Sequence, residues 1–85
     1  MNITLNIHYQ TIPGQDLYVI GASKMLGQWD ANNAQKMNYQ GEGFWTVTLQ
    51  TSQKKGKIEY KYLMKEDSGH VRWEWGPNHN IEIEN

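Results

Sequence analysis

The sequence predicts an all-β domain, an antiparallel sandwich or open barrel of about six or seven short strands. Three observations predict it. Apolar residues recur with a period of two in several short runs. Gly, Pro, Asn and Asp punctuate the chain between those runs, as tight turns require. No segment carries a long helical period.

The first strand alternates Ile3, Leu5, Ile7 and Tyr9 with Asn2, Thr4, Asn6 and His8, so one face is apolar and the other polar. Pro13-Gly14 makes a turn, and Leu17-Tyr18-Val19-Ile20 reads as a more fully buried second strand ended by Gly21. From Ala22 to Asn38 the pattern is irregular, with at most a helical turn around Ser23 to Leu26. Gly41 and Gly43 flank a turn into Phe44–Leu49, where Trp45, Val47 and Leu49 share the inward face. A polar loop carrying Lys54, Lys55 and Lys57 reads as a solvated hairpin end. The longest strand, Ile58 to Lys65, places Ile58, Tyr60, Tyr62 and Met64 on one side and Glu59, Lys61, Leu63 and Lys65 on the other. Asp67-Ser68-Gly69 folds it back onto Val71–Trp75 as a hairpin. Gly76-Pro77-Asn78 turns the chain again, and Ile81–Glu84 alternates as a last strand.

Without internal repeats or linkers, residues 1–85 read as a single domain with one modest core. Cysteine is absent, so apolar packing and ladder hydrogen bonds carry the stability. A formal charge of −1 supplies no field for a polyanion or a membrane surface, and a neutral partner fits better. Met1-Asn2-Ile3-Thr4 lacks the basic and apolar regions of a secretory leader. With the lack of cysteine, this inclines the reading toward an intracellular setting, although a domain cut from a secreted enzyme reads alike. Asn2-Ile3-Thr4 matches a glycosylation triplet by letter only. His8, His70 and His79 lack metal-site spacing and read as solvent-exposed, so no metal or cofactor is expected. No paired carboxylates suit glycoside hydrolysis, and catalysis is not expected. The informative excess is aromatic: four Trp, five Tyr and one Phe, more than a small β-core needs.

Four segments in order carry a family resemblance: Leu17-Tyr18-Val19-Ile20-Gly21 with Leu26-Gly27-Gln28-Trp29-Asp30, Phe44–Leu49, Ile58-Glu59-Tyr60-Lys61-Tyr62, and Val71-Arg72-Trp73-Glu74 with Gly76-Pro77-Asn78. Together they resemble the starch-binding domains, carbohydrate-binding module family 20, over about Leu17 to Ile83. The resemblance implies an immunoglobulin-like β-sandwich or open-sided, distorted barrel. It also implies a non-catalytic module that holds an attached or partner enzyme on starch, glycogen, maltooligosaccharides or cyclodextrin, as a monomer. The family's usual last strand lies beyond the pattern that ends at Asn85, so one sheet edge is expected to stand open.

The resemblance places two exposed stacking tryptophans at Trp29 and Trp73, with Lys61, Glu74 and Asn78 as polar partners. Pyranose C–H faces stack on indole rings while hydroxyls stay free for hydrogen bonds. Trp45 corresponds to a core tryptophan. Trp75 either enlarges the platform or covers the open edge. A second site would use Tyr39, but Pro13 stands where its companion tyrosine is expected; Tyr9, Tyr18, Tyr60 and Tyr62 read as core or sheet-face residues. The rival function is a protein-interaction domain that uses the same aromatic face or its open edge strand.

Overall fold

A computed structural model describes residues 2–83 of the chain. Strands run in the order β1 (Asn2–His8), β2 (Gln15–Gly21), β3 (Gln35–Lys36), β4 (Asn38–Gly41), β5 (Phe44–Gln50), β6 (Gly56–Glu66), β7 (Val71–Trp73) and β8 (His79–Ile83). Short 3-10 turns occupy Lys24–Leu26, as expected, and Ala31–Asn33. The first sheet has the order β1-β5-β4 and the second β3-β2-β6-β7, with β8 also pairing β6. All strand-to-strand pairings among the described residues are antiparallel, so the expected all-β sandwich is what the chain forms.

The register follows the alternation. Leu5 lies opposite Val47 and Ile7 opposite Trp45, which puts every second residue of β1 and β5 into the core. From the other sheet come Leu17, Val19, Ile58, Met64 and Ile83, and all five are buried. Trp45 is buried among them, as predicted, and its indole N–H donates to the Tyr9 carbonyl at 3.2 Å. A buried indole needs such an acceptor, because an unpaired N–H costs about 1–3 kcal/mol.

Eight strands among the described residues exceed the six or seven expected, and the added ones are β3, within the stretch read as irregular, and β4, which begins at its end. β3 and β4 are two and four residues long, polar and mostly exposed, so they show no alternation. Tertiary contacts define them. Between them Met37 is buried and its N–H donates to the Leu17 carbonyl at 2.9 Å, where the chain crosses from one sheet to the other. Two boundaries also moved. β7 stops at Trp73 rather than Trp75, and β8 begins at His79; Glu84 of the expected last strand lies outside the described residues.

β1 has one strand partner, β5, among the described residues. Tyr9, just past β1, is exposed, where the alternation read it as core or sheet face. Beyond His8 the strand ends, and the period-two rule no longer governs the ring.

Candidate functional site

The site region is built on β6, which is long enough to carry β2 on one edge and β7 followed by β8 on the other. Gly21 ends β2 opposite Tyr60. A Cβ at Gly21 would sit 2.3 Å from the Glu59 carbonyl oxygen and 2.8 Å from a Leu26 methyl, so only glycine allows this approach. The following turn is closed by its own backbone. Leu26 and Gln28 N–H groups donate to the Ser23 carbonyl, and the Trp29 N–H donates to Gly21 at 2.9 Å. Gln28 and Trp29 take left-handed φ values of 51° and 66°, a conformation that costs non-glycine residues about 1–3 kcal/mol each. Gly27 at φ 85° fits the same turn without strain.

On the far edge Trp73 pairs with Leu63. Cross-strand neighbours share a face, so Trp73 stands with Leu63 on the side of β6 away from the main core. Leu63 and Ile20 are nevertheless buried, at 2% and 0% exposure. They form an apolar floor on the outer side; alternation assigned Leu63 to solvent, whereas Ile20 lies in the strand read as more fully buried. Trp29 is thus anchored at the level of Tyr60 on one flank of β6, and Trp73 at the level of Leu63 on the other. Three residues of strand separate those levels, roughly 10 Å. Lys61 lies between them on the same outward-facing set as Leu63.

Exposure differs between the two rings. Trp73 is 41% exposed, as a stacking surface requires, whereas Trp29 is partly buried rather than bare. A sequence pattern does not report that partial burial. Trp75 is 96% exposed. An indole that buries almost nothing covers no edge; it stands at the rim of an apolar groove of about 350 Å³ that also touches Ile7, Tyr9, Leu17 and Arg72.

The polar residues are engaged inside the protein. Lys61 Nζ donates to the carbonyls of Gly76 and, at 3.5 Å, Glu74, tying the turn after β7 down to β6. Glu74 uses both carboxylate oxygens: one accepts the Tyr62 N–H at 3.1 Å and the other meets His79 Nε2 at 2.7 Å. Its own N–H donates to the Tyr62 carbonyl at 3.0 Å. Asn78 donates to the Glu59 carboxylate at 3.2 Å. These bonds hold the Glu74–Asn78 turn in one conformation beside Trp73. Lys61, with three N–H donors, retains capacity for a ligand hydroxyl.

His79 is the residue that sequence reading missed. It is not a free surface histidine, because it bonds Glu74 and stacks on Tyr60 with ring centroids 5.1 Å apart. Its position just after Pro77-Asn78 was the available signal. Tyr62 packs against the same ring at 5.6 Å. Burial, reinforced by Tyr60 and then by the negative charge of Glu74, raises the Tyr62 phenol well above its ordinary value near 10.

Tyr39 lies on β4, half exposed, with its hydroxyl accepting the Gly43 N–H at 3.1 Å and its ring 4.9 Å from Trp45. It sits on the first sheet and therefore apart from Trp29 and Trp73. No group of three or more metal-ligating side chains comes together among the described residues.

Comparison with known proteins converges on one family. The starch binding domain model matches residues 1–85. Glucoamylase-1 of Schizophyllum commune is 37% identical over 79 residues, covering 93% of this chain and 13% of that protein. A cyclomaltodextrin glucanotransferase of a Bacillus species is 38% identical over 74 residues, covering 80% of this chain and 10% of its own length. Among solved structures, the family 15 glucoamylase of Hypocrea jecorina superposes with a TM-score of 0.90 at 26% identity, over 98% of this chain and 14% of that one. The family 20 module of the maltotetraose-forming amylase from Pseudomonas saccharophila gives a TM-score of 0.83 at 22% identity, over 98% of this chain and 90% of that one, and shares the fold. The chain thus spans about an eighth of glucoamylase-1 and most of the isolated module. Family membership decides between the two expected functions in favour of polysaccharide. This chain belongs to the starch-binding domains, family 20 of the carbohydrate-binding modules, and is a non-catalytic starch-binding module.

Proposed function

We propose that Trp29 and Trp73 form the α-glucan platform of this module, with Lys61, Asn78 and Glu74 around it. The observation that carries the reading is Trp73: a large ring 41% exposed on the outer side of β6, next to a turn fixed by Lys61 and Glu74. A rigid, half-open indole offers area for a pyranose face at little entropic cost. Lys61 and Asn78 supply donors for hydroxyls, while Glu74 acts chiefly by positioning, since both of its oxygens already have partners. Trp75, bare to solvent, extends the aromatic surface rather than shielding the sheet edge. Tyr39 is the candidate for a second site, isolated from the first and without a tyrosine at Pro13.

Stacking on an open surface yields modest free energy once ordering is counted, so dissociation constants fall in the range of about micromolar to millimolar, about −8 to −4 kcal/mol. Glycogen, maltooligosaccharides and cyclodextrin share the α-1,4-linked glucose face and belong to the same ligand class. The module works as a monomer, tethering an attached or partner α-glucan-acting enzyme and raising its local substrate concentration. The test is retention on insoluble starch and release by maltoheptaose, with the fluorescence of the tryptophans followed during titration. A protein that passes through the resin unretarded, or binds with its tryptophan emission unmoved, sinks the platform.

A further inference from the structure

Arg72 leaves β7 on an unexpected side. Its cross-strand neighbour is Met64, which is buried at 5% exposure in the core cluster, and paired residues share a face. The guanidinium therefore sets out from the core side of the second sheet, where a charge must reach either water or a partner. It reaches water. Arg72 is exposed, and it has no ion pair and no side-chain hydrogen bond with any described residue.

Beside it lies the apolar groove of about 350 Å³. Ile7 approaches from β1 and Tyr9 from just past it, Leu17 and Met64 come from the second sheet, and Trp75 stands at the rim. The volume is that of a small-molecule site, for which about 300–1,000 Å³ is usual. Two of the lining residues carry charge, Arg72 and Glu74. Both oxygens of Glu74 are taken, one by the Tyr62 N–H and the other by His79, so the uncompensated charge at the groove is positive. A glucan laid here would strip water from its hydroxyls and find few partners for them. The occupant that fits has an apolar body and one anionic end. A carboxylate matches the planar fork of a guanidinium with two parallel hydrogen bonds.

An inward-set charge also guards an edge strand against pairing with another chain. That duty requires neither a groove nor bare rings, yet Trp75 is 96% and Tyr9 46% exposed beside the same groove. Clustered apolar surface open to water marks a place where something binds.

We propose that this groove binds alkyl carboxylates, the fatty-acid class, with the chain against Ile7, Leu17 and Trp75 and the carboxylate on Arg72. The site is additional to the glucan platform, because it works through Arg72, which the platform does not use, and takes a ligand whose chain has no hydroxyls. It stands whether or not Trp29 and Trp73 hold sugar.

The experiment titrates the 15N-labelled domain at pH 7 with octanoate, 1-octanol and octyltrimethylammonium, three probes with one chain and different heads, and follows the amide shifts. Octanoate should move the amides of Ile7, Leu17, Arg72 and Trp75 to saturation. 1-Octanol should move the same set at a concentration at least about tenfold higher, since it lacks the charge-assisted bonds, and the cation should leave them still. Arg72→Gln should weaken octanoate at least about tenfold, leave 1-octanol unchanged and keep the wild-type affinity for maltoheptaose. Trp75→Ala should weaken octanoate and 1-octanol alike. Groove amides that stay still with octanoate overturn the inference. So does octanoate binding no tighter than 1-octanol, or an octanoate affinity that Arg72→Gln does not change. Should Arg72→Gln unfold, the comparison of the three heads on the wild-type protein decides alone.

Discussion

Replacing Trp73 by Ala removes the ring on which the platform depends, and the structure sets the size of the effect. A tryptophan buries up to about 250 Å² of surface. With 41% of the ring open, about 100 Å² remains for a sugar to cover. At about 25 cal/mol per Å², full coverage is worth about 2.5 kcal/mol, and coverage of one face about half of that. Affinity for maltoheptaose should therefore fall between about tenfold and seventyfold, within the range of interfacial hot spots. Removing the ring also uncovers Leu63, its cross-strand neighbour, so a loss of about 1–2 kcal/mol in stability accompanies the loss of binding. Titration calorimetry gives the first quantity and denaturant unfolding the second. Trp73→Phe separates them, because it keeps cover over Leu63 while offering less stacking area. A folded Trp73→Ala protein that binds maltoheptaose with unchanged affinity refutes the assignment.

Three further outcomes follow from the same contacts. Gly21→Ala should cost about 3 kcal/mol, the upper end of overpacking, because the new methyl meets a backbone oxygen at 2.3 Å that no rotamer change can move; a melting temperature lowered by less than a few degrees contradicts this. Glu74→Ala leaves the Tyr62 N–H without its side-chain acceptor and frees His79, so it should cost about 1–3 kcal/mol and loosen the turn beside Trp73, lowering affinity as well. The same affinity in a destabilised Glu74→Ala would show that the turn does not position the site. The phenol of Tyr62 is raised in the folded state, so its contribution to stability is intact below pH 10, the unfolded value, and is lost as pH climbs from there toward the folded one. Ultraviolet titration should show one tyrosine ionising well after the others, and Tyr62→Phe should abolish that late step.

Much of the framework was legible because a period of two is a local property. Leu5, Val47, Leu49, Ile58 and Met64 declare their face through the residues on either side, and the structure buries all of them. β3 and β4 were not legible, since short polar edge strands exist only through their partners. At the site, motif resemblance picked out Trp29, Trp73, Lys61, Glu74 and Asn78, but nothing in the letters says how each is held. The internal bonds of Glu74 and the role of His79 arise from residues that meet across a turn.

The order of amino acids by itself determined an all-β chain with a tryptophan in its core and a surplus of rings to display, because alternation and turn chemistry act between near neighbours. Tertiary structure decided how open each ring is. Trp29 is partly buried, Trp73 is half open beside Leu63, and Trp75 is bare. Exposure depends on what the rest of the chain brings over a residue, and segments distant in sequence supply that cover.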